Sequence, residues 1–181
     1  DKDVRVMPSL MVETNIKDLE WKPEDKTIIG GNFAKWYGGF QSYMVAQEFQ
    51  TPMWIPTMHN KRESEEQVPD LNHLPHTQWL DWMKIISTFK YAIHLMPTIA
   101  AGTFSLNCAY FGIPCIGNVK VDTQRLCYPE LSVDVEDVET ARKVANLLKN
   151  DKDFYKQCSK NAKINYNKHY NISSSRDKVG I

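Results

Sequence analysis

The sequence predicts an α/β fold built on a doubly wound parallel sheet. Three observations carry that prediction. Short apolar runs alternate along the chain with segments of helical period. The runs at residues 27–29 and 91–96 stop at glycine or proline, as strands do when they feed a loop and then a helix. The run at 91–96 is almost wholly apolar, which suits a central strand covered on both faces. Short strands separated by helices pair in parallel through crossovers, and this fixes the class.

Taken in order, residues 1–26 carry Pro8, Pro23 and several charges and read as a connector. Its apolar patch, Val4, Val6, Leu10 and Val12, is expected to lean on a neighbouring element or domain, and an N-terminal domain is expected upstream. The folded domain is expected over residues 27–170. Thr27, Ile28 and Ile29 form a buried strand stopped by Gly30 and Gly31, and a helix follows through Phe40, Tyr43, Met44 and Phe49. Residues 52–56 give a second strand. Residues 57–67 are polar and aperiodic and read as a loop. Between His76 and Phe89, the residues Trp79, Trp82, Met83 and Ile86 recur at helical spacing and are expected in the core.

After the central strand, Gly102 and Thr103 open a helix that closes at Gly112, ahead of Pro114. Residues 115–117 and 131–134 are further strands. A helix over 136–149 turns Val138, Ala141, Ala145 and Leu148 inward, with acids at its start and lysine toward its end. The last helix repeats Phe154, Cys158, Ala162 and Tyr166 as one stripe. Residues 171–181 are a serine-rich segment expected to be a flexible tail.

A chain of 181 residues suits one domain, which buries about 70% of its unfolded surface. With 22 basic and 22 acidic residues it has no global field to draw in nucleic acid or an anionic membrane, so neither is expected as a partner. No apolar run approaches the length of a transmembrane segment and no targeting segment opens the chain, so a cytoplasmic protein is expected. The cysteines at 108, 115, 127 and 158 show no C-x-x-C spacing and are expected to be reduced and buried. His59, His73 and His76 form no metal-ligand spacing, and the Asp-Lys-Asp triplets at 1–3 and 151–153 do not follow an apolar strand, so no metal is expected. His94, inside the apolar strand, reads as a core histidine.

In doubly wound sheets, ligands bind beyond the carboxyl ends of the strands. The loop before the helix at 103 is small, and its Gly102, Thr103, Phe104 and Ser105 place free backbone N–H groups and hydroxyls at a helix start, which favours a phosphate. The alternative is that Thr103 only caps the helix. The loop at 30–39 has four glycines without G-x-G-x-x-G spacing, so a nicotinamide or flavin cofactor is disfavoured. Its Lys35 faces the same phosphate or else is simply solvated, and Lys61 and Arg62 offer a second cationic arm.

The stretch from Tyr91 to Asn118 resembles the donor-binding half of GT-B glycosyltransferases of the group 1 family: an apolar strand ending at Pro97-Thr98, then Gly102, then Gly112-Ile113-Pro114. The resemblance extends loosely over most of residues 27–170. It implies a Rossmann-like domain forming one half of a GT-B architecture, a nucleoside-diphosphate sugar as donor, no cofactor or metal, and an acceptor domain N-terminal to this one. By the same resemblance Gly31, Asn32, Lys35, Gly102, Thr103, Phe104, Ser105 and Asn107 hold the donor. Many retaining members carry two glutamates in this motif; Ile99 and Asn107 stand at those positions, and Asn107 retains the ability to bond ribose hydroxyls. Two alternatives are a sugar-nucleotide epimerase, which needs an acid and a base within the domain, and a noncatalytic interaction domain of the same fold.

Overall fold

A computed structural model of the chain describes residues 11–57, 62–100 and 102–171. Six strands form one sheet: β1 (Glu24–Ile29), β2 (Met53–Pro56), β3 (Leu71–Leu74), β4 (Phe89–His94), β5 (Cys115–Asn118) and β6 (Ser132–Val133). All neighbours pair in parallel, in the order β3-β2-β1-β4-β5-β6. Among the described residues the α-helices are α1 (Gly39–Ala46), α2 (Glu63–Glu66), α3 (Trp79–Ile86), α4 (Thr103–Phe111), α5 (Asp122–Cys127), α6 (Val138–Asn150) and α7 (Lys152–His169). This is the predicted Rossmann-like class.

Side-chain alternation along β4 shows how both faces are covered. Tyr91 stacks on Phe49, at the end of the turn that follows α1, with ring centroids 4.0 Å apart, whereas His94 meets Phe104 of α4 edge-on at 5.2 Å. The two residues are an odd number of positions apart, so they leave the strand on opposite sides. Helix α1 packs with α6 on the first side, and α4 packs with α5 and α7 on the second. Ile28, Ile29, Ala92, Ile93, Cys115 and Ile116 are buried between them. All four cysteines are free and buried, and burial holds the Cys115 thiol well above its ordinary pKa and pushes that of Cys127 up to about 12.

Several boundaries differ from the sequence-based expectation. Strand β1 begins at Glu24, inside the segment read as connector, because the Lys22 and Glu24 N–H groups donate to the carbonyls of Ser87 and Thr88 ahead of β4. Within that segment Met11 and Ile16 are buried against this domain's own core, Val12 is exposed, and Val4, Val6 and Leu10 lie outside the described residues. The stretch read as a loop contains the single turn α2, and the edge strand β3 follows it. Helix α5 was also not expected. Trp79 and Trp82 are only partly buried and line an open cleft rather than the core interior. The segment 172–181, read as a tail, lies outside the described residues.

Candidate functional site

The strand order places β1 beside β4 at the centre, where the winding of the sheet reverses and where doubly wound sheets form their ligand crevice, beyond the carboxyl ends of the strands. Gly102 is the N-cap of α4, and no side chain caps the helix among the described residues. The nine-residue helix has no acidic residue in its first turn, so its N–H groups and the positive end of its dipole are presented without a built-in counter-anion.

The start of α4 is tied to α5 by hydrogen bonds. The Gly102 carbonyl accepts from Ser105 Oγ at 3.0 Å and from Thr123 Oγ1 at 2.9 Å, and those two hydroxyls bond to each other at 2.9 Å. Ser105 is therefore turned inward, joining α4 to α5, while Thr103 remains exposed. A Cβ on Gly102 would overlap Thr123 Oγ1, so the glycine is required by the close approach of α5. Asn118, at the end of β5, donates to the Met96 carbonyl at 2.8 Å and holds the segment that leads into this loop.

The loop after β1 lies alongside. Asn32 is buried, and its Oδ1 accepts from the Ala34 N–H at 3.0 Å, which shapes the turn from inside. Gly38 has a left-handed φ of 65° and sits directly on the Leu95 carbonyl, an approach that a side chain would block. Thr98 Oγ1 donates to the Trp36 carbonyl at 2.9 Å, and the Leu95 N–H donates to Ser42 Oγ at 2.9 Å. The two predicted loops are thus joined, with Lys35 exposed immediately before the first joint at Trp36. The Arg62 guanidinium lies 5.8 Å over the Trp36 ring, which brings the second cation to the same loop; Lys61 is outside the described residues.

Beneath the crevice, His94 packs under Gly30, Gly31 and Phe104. Its Nε2 is buried without a hydrogen-bond partner among the described residues, and desolvation pushes its pKa down to about 4, so the ring is neutral near pH 7. The expected core histidine is therefore present but unsatisfied. Beside the α4 start a cleft of about 470 Å³ is lined by Thr77, Trp79, Trp82, Thr103, Leu106 and Asn107, among others. A second hollow of about 220 Å³ shares four of these residues and reaches Gly30 and Phe104. Asn107 is buried, and with its amide oriented to suit its neighbours it accepts from Trp82 Nε1 and donates to the Thr103 carbonyl, each at 3.2 Å. Ile99 is 67% exposed at the rim.

Sequence reasoning missed Glu65. Its carboxylate is buried and accepts from the Phe33 N–H at 2.7 Å, the Arg62 N–H at 3.1 Å and His73 Nε2 at 3.3 Å. Among the described residues no group of three or more His, Cys, Asp or Glu side chains could hold a metal ion, and no helix is long and apolar enough to cross a membrane.

The fold is shared with one part of several solved glycosyltransferases. The chain superposes on an α-glucosyltransferase in complex with UDP and a 13-mer DNA with a TM-score of 0.72 at 11% identity, covering 96% of this chain and 59% of that one. For AviGT4, a glycosyltransferase involved in avilamycin A biosynthesis, the TM-score is 0.69 at 11% identity, with 99% and 57% covered. For a TarM variant from S. aureus, in complex with UDP among other ligands, it is 0.68 at 9% identity, with 89% and 36% covered. The chain thus spans between about a third and three fifths of those proteins. No protein-family profile matches the sequence, and no curated protein does so.

Proposed function

We propose that this chain is the donor-binding half of a glycosyltransferase that uses a nucleoside-diphosphate sugar. The observation that carries the reading is the uncapped start of α4 at the end of central strand β4, joined through Thr98 to the loop that carries Lys35. The N–H groups of α4 and its dipole take the diphosphate, and Lys35, with Arg62 behind it, adds counter-charge. The cleft bounded by Trp82 and Thr103 takes the nucleoside, and the sugar extends toward the rim near Ile99. The solved relatives with UDP bound support the choice of ligand class.

The chemistry follows from charge. Breaking the bond between sugar and diphosphate builds positive charge on the ring and negative charge on the leaving group, so a fixed array of donors around that leaving group lowers the barrier. The α4 start and Lys35 supply this stabilisation without a metal. Ile99 offers no carboxylate to the sugar, and the Asn107 amide is held by Trp82 and Thr103. The contribution of this half is therefore binding and charge stabilisation; the acceptor and any general base belong to a second domain. The test is calorimetric titration of the chain with UDP, GDP and ADP in the absence of metal. Micromolar binding of one of them, weakened about tenfold or more in Lys35→Ala, is expected. Heat from none of the three would refute the reading.

A further inference from the structure

The most deeply buried carboxylate described lies outside the crevice, in the turn α2. Glu65 is 1% exposed, and its partners come from three separate segments. Oε1 takes the N–H of Phe33 in the loop after β1. Oε2 takes the N–H of Arg62, at the entry to α2, and Nε2 of His73, in the middle of edge strand β3. A buried carboxylate is costly unless donors surround it, and an apolar residue of similar volume often serves stability as well. What an apolar residue cannot do is grip a backbone N–H in a loop without regular structure.

The gripped loop is the one that carries Lys35, two residues beyond Phe33. On the β4 side this loop is fixed by Thr98 on the Trp36 carbonyl and by Gly38 seated on Leu95. On the β2 and β3 side Glu65 holds it, and the Arg62 guanidinium over Trp36 adds a second contact from the same turn. We infer that Glu65 is a positioning residue for the proposed diphosphate site, fixing the loop at Phe33 so that Lys35 is held toward the start of α4. This inference rests on the donor-binding reading above.

In Glu65→Gln an amide –NH2 must face at least one of the two backbone donors, so one anchor is lost while the volume is kept. The test is a double-mutant cycle by calorimetry on the full 181-residue chain with UDP, GDP and ADP, carrying forward whichever binds, and using wild type, Lys35→Ala, Glu65→Gln and the double variant. Each single variant is expected to bind about tenfold more weakly. The double variant is expected to be no weaker than the weaker single, because both changes remove the same contact. The Phe33 amide is expected to be protected from hydrogen exchange in wild type and to lose that protection in Glu65→Leu, which has no oxygen to accept from it.

Multiplying losses in the double variant would overturn the inference, since Glu65 would then act independently of Lys35. Wild-type affinity in Glu65→Gln with weakened binding in Lys35→Ala would also overturn it while leaving the donor-binding reading standing. No binding of any nucleotide by wild type would sink both. If Glu65→Gln does not fold, His73→Phe replaces it: it removes one donor and keeps both backbone bonds. A smaller loss, again non-additive with Lys35→Ala, is then expected, and unchanged or multiplying affinity would overturn the inference.

Discussion

Lowering the pH from 7.5 to 5 probes the burial of His94 directly. The imidazole titrates near 6.5 in an unfolded chain and near 4 in the folded one, because burial disfavours the charged ring. Between those values the unfolded state binds the extra proton, so stability is lost as the pH falls through about 6.5 and the loss levels off near 4. Integrated over the window, this amounts to about 2 kcal/mol at pH 5 relative to pH 7.5. The assay is urea unfolding followed by circular dichroism at pH 7.5, 6 and 5 at constant ionic strength, on wild type and His94→Phe. The phenyl ring keeps the edge-on contact with Phe104 and removes the titrating, unpartnered Nε2. The other histidines and the carboxylates act in both chains, so the change in the stability difference isolates His94. The variant is expected to gain about 2 kcal/mol on wild type between pH 7.5 and pH 5. Parallel pH profiles would show that the ring is solvated or paired in the folded protein, and the account of the crevice floor would fail.

Two further outcomes test the frame around the site. Gly38→Ala forces a side chain into a left-handed conformation and onto the Leu95 carbonyl, so thermal unfolding should report a loss of about 2 kcal/mol or more; an unchanged transition would contradict the seating of this loop. Tyr128→Phe removes the hydroxyl that donates to the buried Ile113 carbonyl at 2.7 Å, and urea unfolding should show a loss of about 1–2 kcal/mol. Wild-type stability in that variant would mean that the carbonyl finds another donor.

The parts of the fold legible in the sequence are those whose signal is local. Residues 91–96 announce a central strand because burial on both faces demands an unbroken apolar run, although pairing ends β4 at His94. Gly112 marks the end of α4 because its φ of 80° suits glycine, and the inward stripe of α6 is a matter of period alone. Strand β3 left no such trace: an edge strand reading Leu-Asn-His-Leu has too little apolar content to stand out. Helix α5 is shorter than two turns, below the length at which period can be seen.

The site was legible as a place more than as a set of contacts. Glycines and a helix start mark the loops of the candidate site, but sequence does not reveal which way a polar side chain turns. Asn32 and Ser105, expected at the ligand, also shape the loop and join α4 to α5 through their side-chain oxygens. Glu65 sat among other acids in a polar stretch with nothing to separate a buried carboxylate from solvated ones; its role depends on Phe33, more than thirty residues away in sequence.

The adjacency of β1 and β4 also constrains how the chain is made. As the protein leaves the ribosome, β1 emerges before β2, β3 and three helices, and one of its two edges has no mate until β4 follows. Through that interval the nascent chain carries an open row of amide and carbonyl groups, a template for pairing with another chain. The same seam, once closed, is where the two loops meet, so a ligand lodged across it would grip both halves of the sheet and oppose their separation.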